Sequence, residues 1–264
     1  MINLDRSPDR LAFMAKQLDD LGISFIRLSA TEGASITDVE FDRLAGTYMR
    51  PITRSELGCL MSHVRAWRHC IERDEPVLVL EDDAFLSERL PAFLTEFERL
   101  GLQGVINLET RGVGKRVSKG PPAAVLESAV RLYRLFVDPG GTAGYIVTPG
   151  AARTLVELSK TYAAPSDAFI DLSGVPRLQA DPGLVATIFV NHGRRTASGF
   201  KTTITQPRRR ERHVATLRQP HFKLRRLAGY FSIMFRKVAT MGVAVTRTVA
   251  VCPSILARAE NRSA

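Results

Sequence analysis

The chain has no apolar run long enough to cross a bilayer, no paired-cysteine motif and no glycine-rich phosphate loop, and each absence removes a class of protein. Only three cysteines occur among 264 residues, Cys59, Cys70 and Cys252, and none form a CxxC pair. The first two fall in one expected helix, roughly 16 Å apart along its axis, too far to bridge. No disulfide framework is indicated, and a reducing compartment is expected. The opening Met1-Ile2-Asn3-Leu4 reads as a short strand rather than a basic stretch with a long apolar core, so the chain reads as cytosolic. Neither GxGxxG nor a P-loop occurs. Acids are scarce in the last quarter: residues 194–264 carry 16 Lys/Arg against 2 Asp/Glu, a net of +14, whereas residues 1–193 carry 21 against 25, a net of −4. The formal charge of +10 belongs to the C-terminal segment.

What is present supports a real core, with 45% hydrophobic residues, enough for one large α/β domain with an appendage. After the first strand, Ser7 can cap a helix with Pro8 at its first position and apolar residues at Leu11, Met14, Leu18 and Leu21. Ile23 to Leu28 reads as the next strand, which makes a βαβ opening. A capping box, Thr53-x-x-Glu56, starts a helix striped by Leu57, Leu60, Val64, Trp67 and Ile71. Further strands are expected at Val105–Leu108, Leu132–Val137, Gly144–Thr148 and Leu184–Val190, with a helix from Thr148-Pro149 to about Leu158. Residues 110–122 turn to Gly, Lys, Arg and Ser without periodicity and read as a mobile surface loop.

The most informative segment is Val77-Leu78-Val79-Leu80 followed by Glu81-Asp82-Asp83. Four uncharged β-favouring or aliphatic residues read as a strand buried on both faces of a parallel sheet, so the acids must lie at its carboxyl end. In open α/β sheets ligands bind at that edge. Clustered carboxylates repel one another unless a cation lies between them, although strand exits are often simply acidic and solvated. Hard oxygen ligands select Mg²⁺ or Mn²⁺, and a site with few protein carboxylates completes its shell with substrate phosphates.

Five motifs in order now carry a resemblance. Asn3-Leu4-Asp5-Arg6 with Arg10, Glu56-Leu57-Gly58-Cys59 through Ser62-His63 and Trp67, Leu80-Glu81-Asp82-Asp83, Gly141-Thr142-Ala143-Gly144-Tyr145, and Pro165-Ser166-Asp167 resemble glycosyltransferase family 25 over about residues 1–200. That family includes bacterial lipopolysaccharide and lipooligosaccharide galactosyltransferases and collagen-modifying galactosyltransferases. The resemblance implies a GT-A-like (Rossmann-related) mixed, mainly parallel sheet flanked by helices, over a catalytic domain at 1–205. It also implies a UDP-hexose donor, galactose favoured, and Mn²⁺ (or Mg²⁺) on an acidic motif that here reads Glu81-x-Asp83. The acceptor would be a lipid-linked or oligosaccharide glycan of lipopolysaccharide or surface-polysaccharide biosynthesis, with inversion at the anomeric carbon.

Candidate roles follow residue by residue. Asp83 is the first metal ligand, Glu81 the second, and His192, at a strand end, a further one, though such a histidine can equally be structural. Asp167 matches the family's Pro-x-Asp and is the candidate general base, with Asp171 one turn on as the alternative; an N-terminal helix acid is the competing reading of Asp167. Asn3, Arg6, Arg10, His63, Glu81, Asp82, Glu109, Thr110 and Gly144 are candidate donor contacts. Arg6 and Arg10 suit a diphosphate or uridine. Glu109 and Thr110 follow a strand at the sheet's edge. His63 lies near the buried edge of the striped helix, and Trp67 belongs to its core stripe.

Residues 206–264 form the appendage. Cations at Arg225/Arg226, Arg236/Lys237, Arg247 and Arg258 recur close to every eleven residues, which would line one stripe of an apolar helix running to Pro253. That pattern points to an anionic membrane surface, with a partner or dimer interface as the competing explanation. Peripheral attachment at the cytoplasmic face of the inner membrane is expected, where a lipid-linked acceptor would reside. Two other functions compete with the transferase. A nucleotidyltransferase needs a glycine-rich loop where this chain has Asp5-Arg6-Ser7-Pro8. A nucleic-acid binder needs aromatics among the arginines of Arg208-Arg209-Arg210, where there are none, so no specific nucleic acid is expected.

Overall fold

The computed structural model describes residues 1–138, 140–191, 194–197 and 220–263. The chain opens β1 (Ile2–Asn3), α1 (Pro8–Asp20), β2 (Leu28–Ser29), then α2 (Asp38–Ala45), α3 (Arg54–Arg73) and β3 (Val77–Leu80). It continues through β4 (Phe85–Leu86), α4 (Leu90–Leu100), β5 (Val105–Asn107), β6 (Gly114–Ser118), β7 (Ala124–Val125), β8 (Arg131–Val137) and β9 (Gly144–Val147). Then come α5 (Pro149–Ser159), α6 (Ser166–Leu172), β10 (Arg177–Asp181), β11 (Val185–Ala186), β12 (Ile188–Asn191) and β13 (Arg194–Ala197). The C-terminal segment holds α7 (Pro220–Ala239), β14 (Ala244–Thr248) and α8 (Pro253–Ser263).

The main sheet runs β14-β6-β8-β10-β5-β9-β3, with β7 on β8, and β1 reaches β3 through a parallel bridge between Ile2 and Glu81. Strands β1, β2, β3, β5 and β10 share one direction, while β8, β9 and β14 run against it. The sheet is therefore mixed, as expected, but β9 lies between β3 and β5, so β3 makes an antiparallel ladder rather than the parallel one its apolar run implied. Side chains alternate across this sheet. Val79, Val105, Tyr145 and Val147 pack against α3, α5 and α6 on one face, and Leu80, Ile106 and Ile146 against α1 and α4 on the other. Helices thus cover both faces, which is why β3 and β9 carry almost no charge.

Local chemistry sets the element ends. The capping box of α3 forms as its sequence spells it: Thr53 Oγ1 accepts from Glu56 N at 3.2 Å, and Thr53 N donates to Glu56 Oε2 at 2.8 Å. Ser7 precedes α1 but makes no side-chain cap; its carbonyl instead takes Asn3 Nδ2 at 3.0 Å.

Three expectations change. The strand expected at 23–28 shrinks to Leu28–Ser29, because β1 offers only two residues to pair with, and Phe25 and Ile26 stay exposed. The expected loop at 110–122 contains β6, whose inward residues are Lys115 and Val117. An inward lysine hides the period-two pattern, and the pairing strands β8 and β14 are remote in sequence. Last, one basic helix does not run to Pro253. α7 stops at Ala239, and Val245, Thr246 and Thr248, β-favouring residues, pair instead with the free edge of β6.

That change redistributes the eleven-residue set of cations. Arg236 binds Asp171 (2.6 Å), Arg247 binds Asp181 (3.2 Å) and lies over the Tyr133 ring, and Arg258 approaches Glu88. β14 joins the main sheet at β6, and Ile255 and Ala259 of α8 pack with Cys252 on Phe85 and Ala186 of the two-stranded sheet β4–β11. No described helix is long and apolar enough to cross a membrane.

Candidate functional site

The carboxyl ends of β3 and β5, the loop before β9 and the start of α6 bring acids together. Glu81 follows β3 and is gripped by Thr142, whose hydroxyl donates to Oε1 at 2.7 Å. Thr142 also meets Ser166 Oγ at 3.0 Å, which ties this edge to the first turn of α6. His63, from the middle of α3, places Nε2 3.4 Å from Glu81 Oε1. Burial pushes the Glu81 carboxyl up, yet His63, Thr142 and the Arg10 charge outweigh it and hold the group below its ordinary value. Glu81 is therefore an anion at neutral pH.

Asp82 and Asp83 divide the labour beside it. Asp82 is buried and saturated, accepting from Asn3 Nδ2 at 2.6 Å and Arg10 at 2.8 Å. Asn3 is itself engaged by Arg27 (3.0 Å) as well as by Ser7 and Asp82, so it positions Asp82 rather than meeting a ligand. Asp83 takes a long Arg10 contact at 3.3 Å through Oδ2, and its Oδ1 is buried with no hydrogen-bond partner among the described residues. Burial first, and the Glu81 charge second, push its carboxyl to about 7 against the pull of Arg10. A buried carboxylate oxygen without a donor beside a second carboxylate fits a hard divalent cation, which would supply the missing positive partner.

Glu109 completes the acidic edge from β5. Its Oε2 accepts from Ala143 N at 2.8 Å and its Oε1 from Thr187 at 3.2 Å; burial pushes its carboxyl to about 7. The loop carrying Gly140 and Gly141 closes over these groups. A Cβ at Gly141 would sit 2.5 Å from Glu109 Oε2 and one at Gly140 2.8 Å from Asp167 Oδ2, both at positive φ, so glycine is required at each. Asp167, second residue of α6, faces this loop, and burial raises its carboxyl above the ordinary range.

The other sequence candidates fall elsewhere. Asp171 is committed to Arg177 (2.7 Å) and Arg236 (2.6 Å), so both oxygens serve ion pairs rather than a substrate. Thr110 binds Val249 O at 2.9 Å and anchors the C-terminal segment. A Cβ on Gly144 would sit 2.5 Å from Val185, which makes its role close packing of β9. Arg6 pairs with Glu32 at the surface. His192 lies outside the described residues.

Five residues without an assigned role prove central. Lys115 is fully buried and donates to Glu109 O (2.9 Å), Asp138 Oδ2 (3.0 Å) and Gln179 Oε1 (2.9 Å), all three of its protons being used. It supports the backbone of Glu109 and neutralises Asp138. Thr142 and Ser166 carry the link between Glu81 and α6, and Cys59 meets Ser166 Oγ at 3.6 Å. For Lys115 and Asp138 no local pattern exists; Cys59, Thr142 and Ser166 lie inside the ordered motifs.

Residues 1–170 match glycosyltransferase family 25 (LPS biosynthesis protein), and the chain belongs to that family. It is 33% identical over 129 residues to the lipooligosaccharide biosynthesis protein lex-1 of Haemophilus influenzae, covering 46% of this chain and 41% of that protein. It is 30% identical over 171 residues to procollagen galactosyltransferase 1-B of Xenopus laevis, covering 59% of this chain and 27% of that one. A glycosyltransferase 25 family member of Aedes aegypti is 30% identical over 115 residues, 38% of this chain and 19% of the relative. In these three alignments the chain spans between about a fifth and two fifths of the relative's length.

Proposed function

We propose that this protein is a GT-A-type, inverting hexosyltransferase that moves galactose from a UDP-sugar to a glycan acceptor in lipopolysaccharide or surface-polysaccharide biosynthesis. The observation that carries the reading is the acidic edge itself, Glu81, Asp83, Glu109 and Asp167 gathered at one end of the sheet, with Asp83 Oδ1 buried and unpartnered. The printed names of the relatives favour galactose and a lipooligosaccharide-type acceptor.

Asp83 and Glu81 would hold Mn²⁺ or Mg²⁺, which when bound stabilises negative charge on a diphosphate leaving group. Arg10 holds Asp82 and Asp83 in place, and Thr142 and His63 orient Glu81. Asp167 is the base: an acceptor hydroxyl attacks the anomeric carbon, its O–C bond forms as the bond to the phosphate oxygen breaks, and its proton passes to the Asp167 carboxylate. Burial that raises the Asp167 carboxyl makes it a stronger proton acceptor than an exposed aspartate. Glu109 and Lys115 keep the β5 end rigid behind this site.

Mn²⁺-dependent transfer or hydrolysis of UDP-galactose, UDP-glucose and related donors tests the reading, with Asp83→Ala beside the native chain. A loss of at least about 100-fold in kcat/KM is expected, the scale of even an outer-shell change at a metal site. Equal activity would remove Asp83 from its role.

The reading extends to peripheral attachment at the cytoplasmic face of the inner membrane. Supporting it, α7 exposes Leu224, Leu227, Phe231, Met234, Phe235 and Val238 at helical spacing, with Lys223, Arg225, Arg226 and Lys237 exposed around them. Phe222 and Arg236 occupy its inward side. The apolar face, not a basic one, is thus the outward face, and anionic headgroups suit the flanking cations.

A further inference from the structure

His63 is fully buried, and its Nε2, 3.4 Å from Glu81 Oε1, makes no well-formed hydrogen bond among the described residues. A buried polar atom without a well-formed partner is costly, so its neighbours matter. The other ring nitrogen, Nδ1, is 2.9 Å from the Tyr145 hydroxyl, and Trp67 Nε1 donates to the same oxygen at 2.8 Å. A phenolic oxygen has two lone pairs and can accept from both, which leaves Nε2, 3.4 Å from Glu81 Oε1, as the nitrogen able to exchange its proton for a cation. Cys59 lies one turn earlier on α3, on the same face. Its Sγ, a ring nitrogen of His63 and a carboxylate oxygen of Glu81 all stand within 4.8 Å of one another, with Nε2 on the side that faces Glu81 Oε1.

The geometry points to a second cation site, made of Cys59, His63 and Glu81 and suited to a thiophilic divalent cation of the Zn²⁺ class. Bond lengths of about 2.0–2.3 Å place the donors of a tetrahedral shell roughly 3.3–3.8 Å apart, so small side-chain adjustments close this set on one ion. Thiolate and imidazole prefer borderline and soft cations, whereas the carboxylates Glu81 and Asp83 together prefer hard ones. Three protein ligands leave the fourth position for water or a ligand oxygen. On binding, the Cys59 thiol and the His63 ring, at Nε2, each release one proton to solvent, and the sulfur and nitrogen lone pairs go to the metal with no change of oxidation state. Tyr145 then serves as the outer partner that holds the imidazole orientation. Glu81 belongs to both sets, so the two cations compete for it; this consequence rests on the proposed donor-site reading, while the binding itself does not.

Titrating the full chain with Co²⁺ reads the site directly. A near-ultraviolet thiolate-to-cobalt charge-transfer band is expected in the native chain and in Asp83→Asn, and its loss in Cys59→Ser. Cys70 and Cys252 are buried outside this cluster. On the unmutated chain, Zn²⁺ at about 100 times its Kd should slow alkylation of Cys59, mapped by peptide mass, about 100-fold. Absence of the band in the native chain, its survival in Cys59→Ser, or unchanged alkylation would overturn the site. If Cys59→Ser loses its fold by circular dichroism, the alkylation result decides. Loss of Mn²⁺-dependent transfer with the cobalt band intact would sink the donor reading alone.

Discussion

Glu109 shows how one side chain sets a pH dependence. Its carboxyl stands near 7 in the folded chain against an ordinary 4.5, chiefly through burial. Below 4.5 it is protonated whether the chain is folded or not, and its contribution is neutral. Between 4.5 and 7 the unfolded chain gives up the proton that the folded chain keeps. Above 7 the folded chain carries a buried charge, and stability is lower by on the order of 3 kcal/mol. In metal-free buffer, Glu109→Gln is therefore expected to be more stable relative to the native chain at pH 8 than at pH 5. Urea denaturation at the two pH values measures this, and an unchanged difference would refute it. The acids at residues 81–83 are legible in the sequence as a group at a strand's end. Their division into a saturated Asp82 and an unpartnered Asp83 depends on Arg10 and Asn3, about seventy to eighty residues away.

At the scale of elements, β6 and α3 stand at opposite ends of legibility. The capping box and stripe of α3 are local, so the helix can be read directly, and Thr53→Ala is expected to cost about 1 kcal/mol, a fall in Tm of roughly 2–4 °C by calorimetry. A loss under a few tenths of a kcal/mol would mean that the Arg50–Glu56 pair alone holds the helix start. β6 is illegible because its inward lysine is paid for by Asp138 and Gln179, which belong to distant segments. Lys115→Met should destabilise by about 3–5 kcal/mol, since it leaves Asp138 buried and uncompensated. Adding Asp138→Asn should recover part of that loss in the same denaturation assay, and strictly additive losses would argue against the pairing.

For the whole molecule, the C-terminal segment both completes the sheet through β14 and presents the exposed face of α7. Phe231 and Phe235 are 54% and 72% exposed, so replacing both by serine should leave the melting temperature nearly unchanged. The same change should weaken binding to phosphatidylglycerol vesicles by 100-fold or more, given about 1.5–3 kcal/mol for each apolar side chain buried. Vesicle cosedimentation checks this, and unaltered binding would exclude α7 as the contact.

By itself the sequence determined the elements whose signals are local: the α3 cap and stripe, the apolar β3 run and its terminal acids, the unequal charge of the two segments, and the ordered motifs of the family. Only the tertiary structure decided which acids face one another, that Asp171 is spent on Arg177 and Arg236, that β9 separates β3 from β5, and that the cations of the C-terminal segment divide between carboxylates of the preceding segment and solvent. The physical reason is common to all of these. Hydrogen-bond capping and amphipathic spacing act over a few residues, whereas charge pairing, burial and strand-edge completion are settled by partners that the chain brings together only on folding.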